Sequence, residues 1–287
     1  MKIIQWYPGH MAKAMRMMAD NLKYCDAVVF VLDARAPAAT YNRRLTELAG
    51  CKPVLYVLNK GDLADAKSDE LLAVIKAGGR NAVKIDANAQ AGIRTLRGAM
   101  SELVKEKTER LKEKGSKKPV RFMIAGVPNT GKSTLINRLA GANKAVTGNK
   151  AGVTRAKQWV KCGAFELMDS PGTMPPACED QKLARRLAYI GSINDDILEM
   201  DEIALCLLEE LSGTYLNRLG ERYGITGGEP LEMLNRVCIR RGFLLKGGND
   251  YDYERGERAV VDDFRKGKLG GVTLDSAEDI ISVGLAE

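Results

Sequence analysis

Short apolar runs alternate with amphipathic stretches along the 287 residues, and the alternation changes character past the middle of the chain. Residues 26–33 (DAVVFVLD), 53–58 and 120–125 are near-continuous apolar runs of strand length. That is the pattern of strands buried on both faces of a parallel sheet. Residues 82–85 read as a shorter strand, and 158–162 and 165–168 as two more. Between them, Met11, Met15, Met18 and Leu22 follow helical spacing. A stripe of this kind is ordinarily core packing. Residues 68–76, 92–103 and 134–140 read as further helices, and a polar loop with a short helix fills the gap before residue 53. Strands alternating with helices predict an α/β domain, a mostly parallel sheet with helices on both faces.

From residue 175 onward helical patterns dominate, over 181–189, 202–211, 215–223, 230–241 and 255–266. Gly227-Gly228, Gly247-Gly248 and Gly270-Gly271 are turn signals between the later ones. The chain therefore divides into an α/β domain, residues 1–175, and a smaller all-helical domain, residues 176–287. Residues 104–119 are charged, begin helically and end in Gly-Ser-Lys-Lys-Pro, which reads as a linker between two halves of the first domain.

Composition changes this picture little. A formal charge of +7 permits a polyanionic partner without requiring one. Six cysteines are scattered with no C-x-x-C pair, and His10 is the lone histidine. Both a zinc site and a disulfide framework are disfavoured, and a reducing compartment is expected. The apolar run of the N-terminal segment is too short for a signal peptide, and 27–32 is far below a membrane span. A cytoplasmic protein without membrane insertion is expected.

The chemistry lies where strands end. Gly126-Val127-Pro128-Asn129-Thr130-Gly131-Lys132-Ser133 fits G-x-x-x-x-G-K-[ST], with a strand before it and a helix after it. The glycines let backbone N–H groups turn toward a phosphate, Lys132 adds a point charge, and the Ser133 hydroxyl is placed to hold Mg²⁺. The second apolar strand runs into Asn59-Lys60-Gly61-Asp62, an N-K-x-D motif. The Asp62 carboxylate can accept from guanine N1–H and the 2-amino group together, whereas adenine would leave it unpaired. Asp86-Ala87-Asn88 occupies the place of a Ser-Ala loop whose backbone N–H meets guanine O6; Asp86 stands in the serine position, so Ala87 is the residue that carries over. Thr154, in Asn149 to Arg155, fits a switch-I threonine seen by Mg²⁺ and the γ-phosphate. Asp169-Ser170-Pro171-Gly172 is a D-x-x-G motif in which Asp169 would hold Mg²⁺ through water and the Gly172 N–H would meet the γ-phosphate.

N-K-x-D and the Ser-Ala-type loop here precede the P-loop and both switches, the reverse of the ordinary order in GTPases. Ligand loops gather at the C-terminal ends of the strands of an open α/β sheet whatever order connects them, so the permuted parts can build the same site. This order resembles the ribosome biogenesis GTPase A (YlqF/RbgA) family of circularly permuted GTPases. So do the opening Trp6-Tyr7-Pro8-Gly9-His10-Met11-Ala12-Lys13-Ala14, the Asp33-Ala34-Arg35 after the first strand, Arg240-Arg241-Gly242 and Leu269-Gly270.

The resemblance spans essentially the whole chain. It implies a GTP hydrolase, slow alone and ribosome-stimulated, that binds the large ribosomal subunit precursor late in its maturation and contacts rRNA through the helical domain. The alternative is a nucleotide-gated RNA-binding module with incidental turnover. The nucleotide set is Asn59, Lys60, Asp62, Ala87, Asn88, Asn129, Thr130, Gly131, Lys132, Ser133, Thr134 and Gly172, with Ser133, Thr154 and Asp169 at Mg²⁺. The residue after Gly172 is Thr173, too short to position water as a glutamine does. The resemblance offers His10 for catalysis beside Lys132 and Thr154; a cap on the first helix is the other reading of His10. It also implies K⁺ at Asn129. The Arg240, Arg241 and Lys246 cluster reads either as an rRNA contact or as a solvated helix end. A monomer is expected.

Overall fold

The computed structural model describes residues 3, 4, 6, 9–141, 159–174, 180–245 and 250–286, with residues 9–11 as backbone only. In chain order the elements are α1 (Gly9–Leu22), β1 (Ala27–Asp33), α2 (Pro37–Thr40), α3 (Arg43–Ala49), β2 (Val54–Asn59), α4 (Lys67–Ala77), β3 (Ala82–Lys84), α5 (Gln90–Leu103) and α6 (Lys105–Glu113). There follow β4 (Val120–Ala125), α7 (Lys132–Ala140), β5 (Trp159–Cys162), β6 (Phe165–Asp169), α8 (Gln181–Tyr189), α9 (Met200–Tyr223), α10 (Pro230–Arg241), α11 (Tyr253–Arg265) and α12 (Ala277–Ser282).

The strands form one six-stranded sheet in the order β3-β2-β1-β4-β6-β5. Every neighbouring pair is parallel except β5 with β6. All seven residues of β1 are buried. Its alternate residues feed two cores: Ala27, Val29 and Val31 meet α5 and α7 through Leu96, Met100, Leu135 and Ile136. Val28, Phe30 and Leu32 join the other core with Met18 and Leu22 of α1 and Leu71 and Ile75 of α4. That second core continues without a break into Leu187, Leu207, Val237, Phe264 and Ile280 of the C-terminal helices. The α6 run has no buried residue, as a charged connecting segment requires.

Residues 200–223, labelled α9, are two helical stretches joined at a kink at Tyr215 (φ −122°, ψ 30°), which is where the second of the two expected helices, 202–211 and 215–223, was to begin. The hydroxyl of that tyrosine donates to Asp65 Oδ2 at 2.7 Å and accepts from the Thr273 N–H at 3.0 Å. The single short helix expected after β1 is two, α2 and α3. The last helix, α12, was not expected; Ser276 and Asp279 close a reciprocal capping box at its start. No helix among the described residues is long and apolar enough to cross a membrane.

Candidate nucleotide site

The C-terminal ends of β3, β2, β1, β4 and β6 carry the sequence motifs to one edge of the sheet. The loops for a base lie on the β3-β2 side, those for phosphates on the β4-β6 side, and β1 stands between them.

The P-loop leaves β4 through Gly126, whose φ of 146° lies outside the range L side chains favour. A Cβ there would come 2.4 Å from the Val31 carbonyl oxygen, so only glycine lets the loop lean on β1. Lys132 opens α7, is buried, and folds its ammonium back onto the Val127 carbonyl at 2.7 Å. Burial pushes that ammonium down to about 8, with the Asp169 carboxylate opposing. An anion at this helix N-terminus would meet Lys132 and the first N–H groups together. Ser133 Oγ donates to Asp169 Oδ2 at 3.4 Å. Burial raises the Asp169 carboxyl, while Lys132 and the Ser133 hydroxyl pull it down. A hydroxyl and a carboxylate oxygen so close are the hard donor set that suits Mg²⁺. Gly172 lies against the P-loop; a Cβ on it would meet Pro128 N at 2.9 Å. Thr134 is exposed.

Asn59 joins three loops. Its Nδ2 donates to the Thr130 carbonyl at 2.8 Å and its Oδ1 accepts from the Ala87 N–H at 3.1 Å. Lys60 Nζ donates to the Asn129 carbonyl at 2.6 Å. Asp62 sits exposed on a 3-10 turn, Gly61–Leu63. Partial desolvation and the neighbouring Asp86 carboxylate raise its carboxyl. A ligand bringing N–H donors to Asp62 would relieve that repulsion, which is what a guanine edge offers.

The Ser-Ala-type loop differs from expectation. The Ala87 N–H, expected to meet a base oxygen, is turned to Asn59 Oδ1, and the Asn88 N–H donates to Asp86 Oδ1 at 2.7 Å. The carboxylate in the serine position takes the Asn88 N–H, and the Ala87 N–H is taken by Asn59. Asn129 adopts φ 61° and its Nδ2 donates to the Gly191 carbonyl at 2.5 Å; Ser192 Oγ donates to the Pro128 carbonyl at 2.8 Å. The turn after α8 thus touches the P-loop, a contact for which the sequence holds no signal.

Thr173 is fully buried under α1, its Oγ1 3.9 Å from Met18 Sδ. Burial adds a second reason why it cannot position water. His10 falls in the first turn of α1, and its side chain lies outside the described residues. Thr154 and Lys246 also lie outside them. Arg240 is exposed at the end of α10. Arg241 is partly drawn inward, 3.6 Å from Asp263 Oδ1.

Residues 121–215 match the family described as a 50S ribosome-binding GTPase. The chain is 40% identical over 282 residues to ribosome biogenesis GTPase A of Bacillus cereus, which covers 96% of this chain and 95% of that protein. Among solved structures, GDP-bound YlqF superposes with a TM-score of 0.65 at 27% identity, covering 92% of this chain and 100% of the other. GNP-bound YlqF from T. maritima superposes with a TM-score of 0.63 at 27% identity, covering 93% and 100%. The permuted loop order, the parallel sheet and a relative matched nearly end to end agree, and the chain belongs to the ribosome biogenesis GTPase A family.

Proposed function

We propose that this chain binds the precursor of the large ribosomal subunit in its GTP form, hydrolyses GTP to GDP and phosphate, and thereby promotes late maturation of the particle. The observation that carries the reading is the meeting of N-K-x-D, P-loop and D-x-x-G at one sheet edge, with Asn59 tying the base loop to the P-loop.

Asp62 reads guanine N1–H and the 2-amino group, while Asn59 and Lys60 set the loop that carries it. Ala87 and Asn88 complete the base pocket. Asn129, Thr130, Gly131, Lys132, Ser133 and Thr134 wrap the phosphates, and the Gly172 N–H faces the γ-phosphate. Ser133, Thr154 and Asp169, the last through water, are the residues that would hold Mg²⁺. Bound there, the ion neutralises charge on the phosphate oxygens. Water attacks the γ-phosphorus and its bond to the β–γ bridging oxygen breaks. Lys132 balances the charge that gathers on that bridge. Asn129 is the residue that would hold K⁺. His10 positions the attacking water once the particle places α1.

The division at residues 175 and 176 is functional on this reading. The first part holds nucleotide, and the second presents Arg240, Arg241 and Lys246 to rRNA. The assembly works in the cytoplasm, as a monomer, on the particle.

The burial of Thr173 favours a second reading, a nucleotide-gated RNA-binding module whose turnover is incidental. Steady-state GTP turnover with and without large subunits, together with co-sedimentation in GTP analogue or GDP, separates the two. Stronger retention in the analogue and stimulated turnover are expected. Retention without stimulation selects the second reading, and no retention in either nucleotide removes both.

A further inference from the structure

Asp33-Ala34-Arg35 runs out of the end of β1, the strand between the base-reading side and the phosphate side. Asp33 and Arg35 are 0% and 1% exposed. Arg35 grips Asp33 with two prongs, Nε to Oδ1 at 2.9 Å and Nη2 to Oδ2 at 2.8 Å. A buried pair of this kind is a weak source of stability, because desolvation offsets most of the attraction. What it supplies here is placement.

Asp33 Oδ2 holds a second cation, Lys60 Nζ, at 3.0 Å. Lys60 is a non-glycine residue at φ 59°, a conformation that persists only when its surroundings impose it. The same ammonium reaches over to the Asn129 carbonyl of the P-loop at 2.6 Å. Burial alone would raise the Asp33 carboxyl, but Arg35 and Lys60 hold it well below the usual carboxylate range, so it stays charged and gripping.

On its far side Arg35 Nη1 donates to the Phe264 and Arg265 carbonyls at 3.3 and 3.4 Å, where α11 ends. The guanidinium stacks over the Phe264 ring, 5.0 Å from its centre. The Arg265 side chain in turn donates to the Ala188 and Tyr189 carbonyls at 2.8 and 3.0 Å, at the end of α8. Two residues on, the Gly191 carbonyl accepts from Asn129. The contacts therefore close a ring: P-loop, Lys60, Asp33, Arg35, the end of α11, the end of α8, and back to the P-loop.

We propose that Asp33 and Arg35 are positioning residues for nucleotide binding: Asp33 sets Lys60 across the P-loop, and Arg35 ties that setting to the ends of α11 and α8, so that occupancy of the guanine-nucleotide site is felt in the C-terminal helices. This rests on the reading of residues 59–62 and 126–133 as the nucleotide site.

The test uses the full chain, with GDP as probe and calorimetry as readout. Lys60→Met and Asp33→Asn are each expected to weaken GDP binding about tenfold or more. The double variant is expected to match Lys60→Met within about twofold, because Asp33 acts through Lys60. A double variant showing the product of the two losses overturns the proposal, since Asp33 would then act independently of Lys60. Wild-type GDP affinity in Lys60→Met would instead defeat the site reading, and the proposal with it.

The second arm does not depend on Asp33→Asn folding. Arg35→Lys keeps a cation beside Asp33 but loses the fork to α11. Amide exchange over 188–192 and 264–268 is expected to slow on saturation with GDP in the wild type and to stay unchanged in Arg35→Lys. The same slowing in both proteins would show that Arg35 does not carry the link.

Discussion

Asn59 offers the sharpest perturbation, because one buried amide spans the base loop, the P-loop and the β3 loop. Asn59→Ala removes both of its hydrogen bonds and leaves the Thr130 carbonyl and the Ala87 N–H without their partner. Thr130 and Ala87 are themselves buried, at 0% and 2% exposure, so replacement by water is poor. Each buried polar group left unsatisfied costs about 1–3 kcal/mol, which puts the whole effect at about 2–6 kcal/mol. A loss of about 3 kcal/mol felt in binding is roughly 150-fold in affinity. Asn59→Asp is the sharper probe. It keeps an acceptor for the Ala87 N–H but turns an oxygen toward the Thr130 carbonyl, where a donor now sits at 2.8 Å. GDP affinity by calorimetry and stability by urea titration read both variants. The expected order in affinity is wild type, then alanine, then aspartate. An alanine variant within about twofold of wild type, or an aspartate variant that binds better than alanine, would refute the reasoning.

Burial sets the free Lys132 ammonium at about 8, below its ordinary value, and bound phosphate favours its charged form. Nucleotide binding therefore takes up a proton above that pH. GDP affinity should be level below pH 8 and fall by up to about tenfold per unit above it; a level profile to pH 9.5 would contradict the assignment. His10→Ala should bind GTP and large subunits as the wild type does and lose most ribosome-stimulated hydrolysis, read by phosphate release with and without particles. Arg240→Glu should weaken particle binding and flatten its salt dependence while leaving turnover in the free chain alone. Arg241→Glu should also lower the melting temperature, because Asp263 then faces a carboxylate in place of a guanidinium.

Much of the sheet was legible because burial on both faces leaves a direct mark, the near-continuous apolar runs of β1, β2 and β4. The order of motifs was legible for a related reason: N-K-x-D and the P-loop stand directly after such runs, and the Asp86-Ala87 loop and D-x-x-G after the shorter strands β3 and β6. What stayed hidden depends on distant partners. α12 is six residues long with no apolar period of its own, and its place comes from its cap and from packing against α4. The anchoring of Tyr215 by Asp65 and Thr273 at the α9 kink joins residues far apart in sequence, which local propensity cannot register. In the site, Thr173 was recognisable as too short for its place, but its burial against Met18 was not. The Ala87 N–H was expected to await a base, and its engagement by Asn59 follows from a side chain on the neighbouring strand. Asp33 and Arg35 stood out only as part of the Asp33-Ala34-Arg35 that carries the family resemblance. The carbonyls that give Arg35 its further partners lie more than two hundred residues away in sequence, at Phe264 and Arg265.

Guanine selectivity at Asp62 tests most directly whether loops in this permuted order build one GTPase nucleotide site. Xanthine carries a carbonyl where guanine has its 2-amino group, so a carboxylate at position 62 should reject it and an amide should accept it. Competition calorimetry with GDP and xanthosine 5′-diphosphate, on the wild type and on Asp62→Asn, makes the comparison. The wild type is expected to prefer GDP by about a hundredfold or more, consistent with a few kcal/mol of mispaired polar groups, and Asp62→Asn to reverse the preference. An unchanged preference for GDP in Asp62→Asn would contradict the account, because the base would then be read elsewhere.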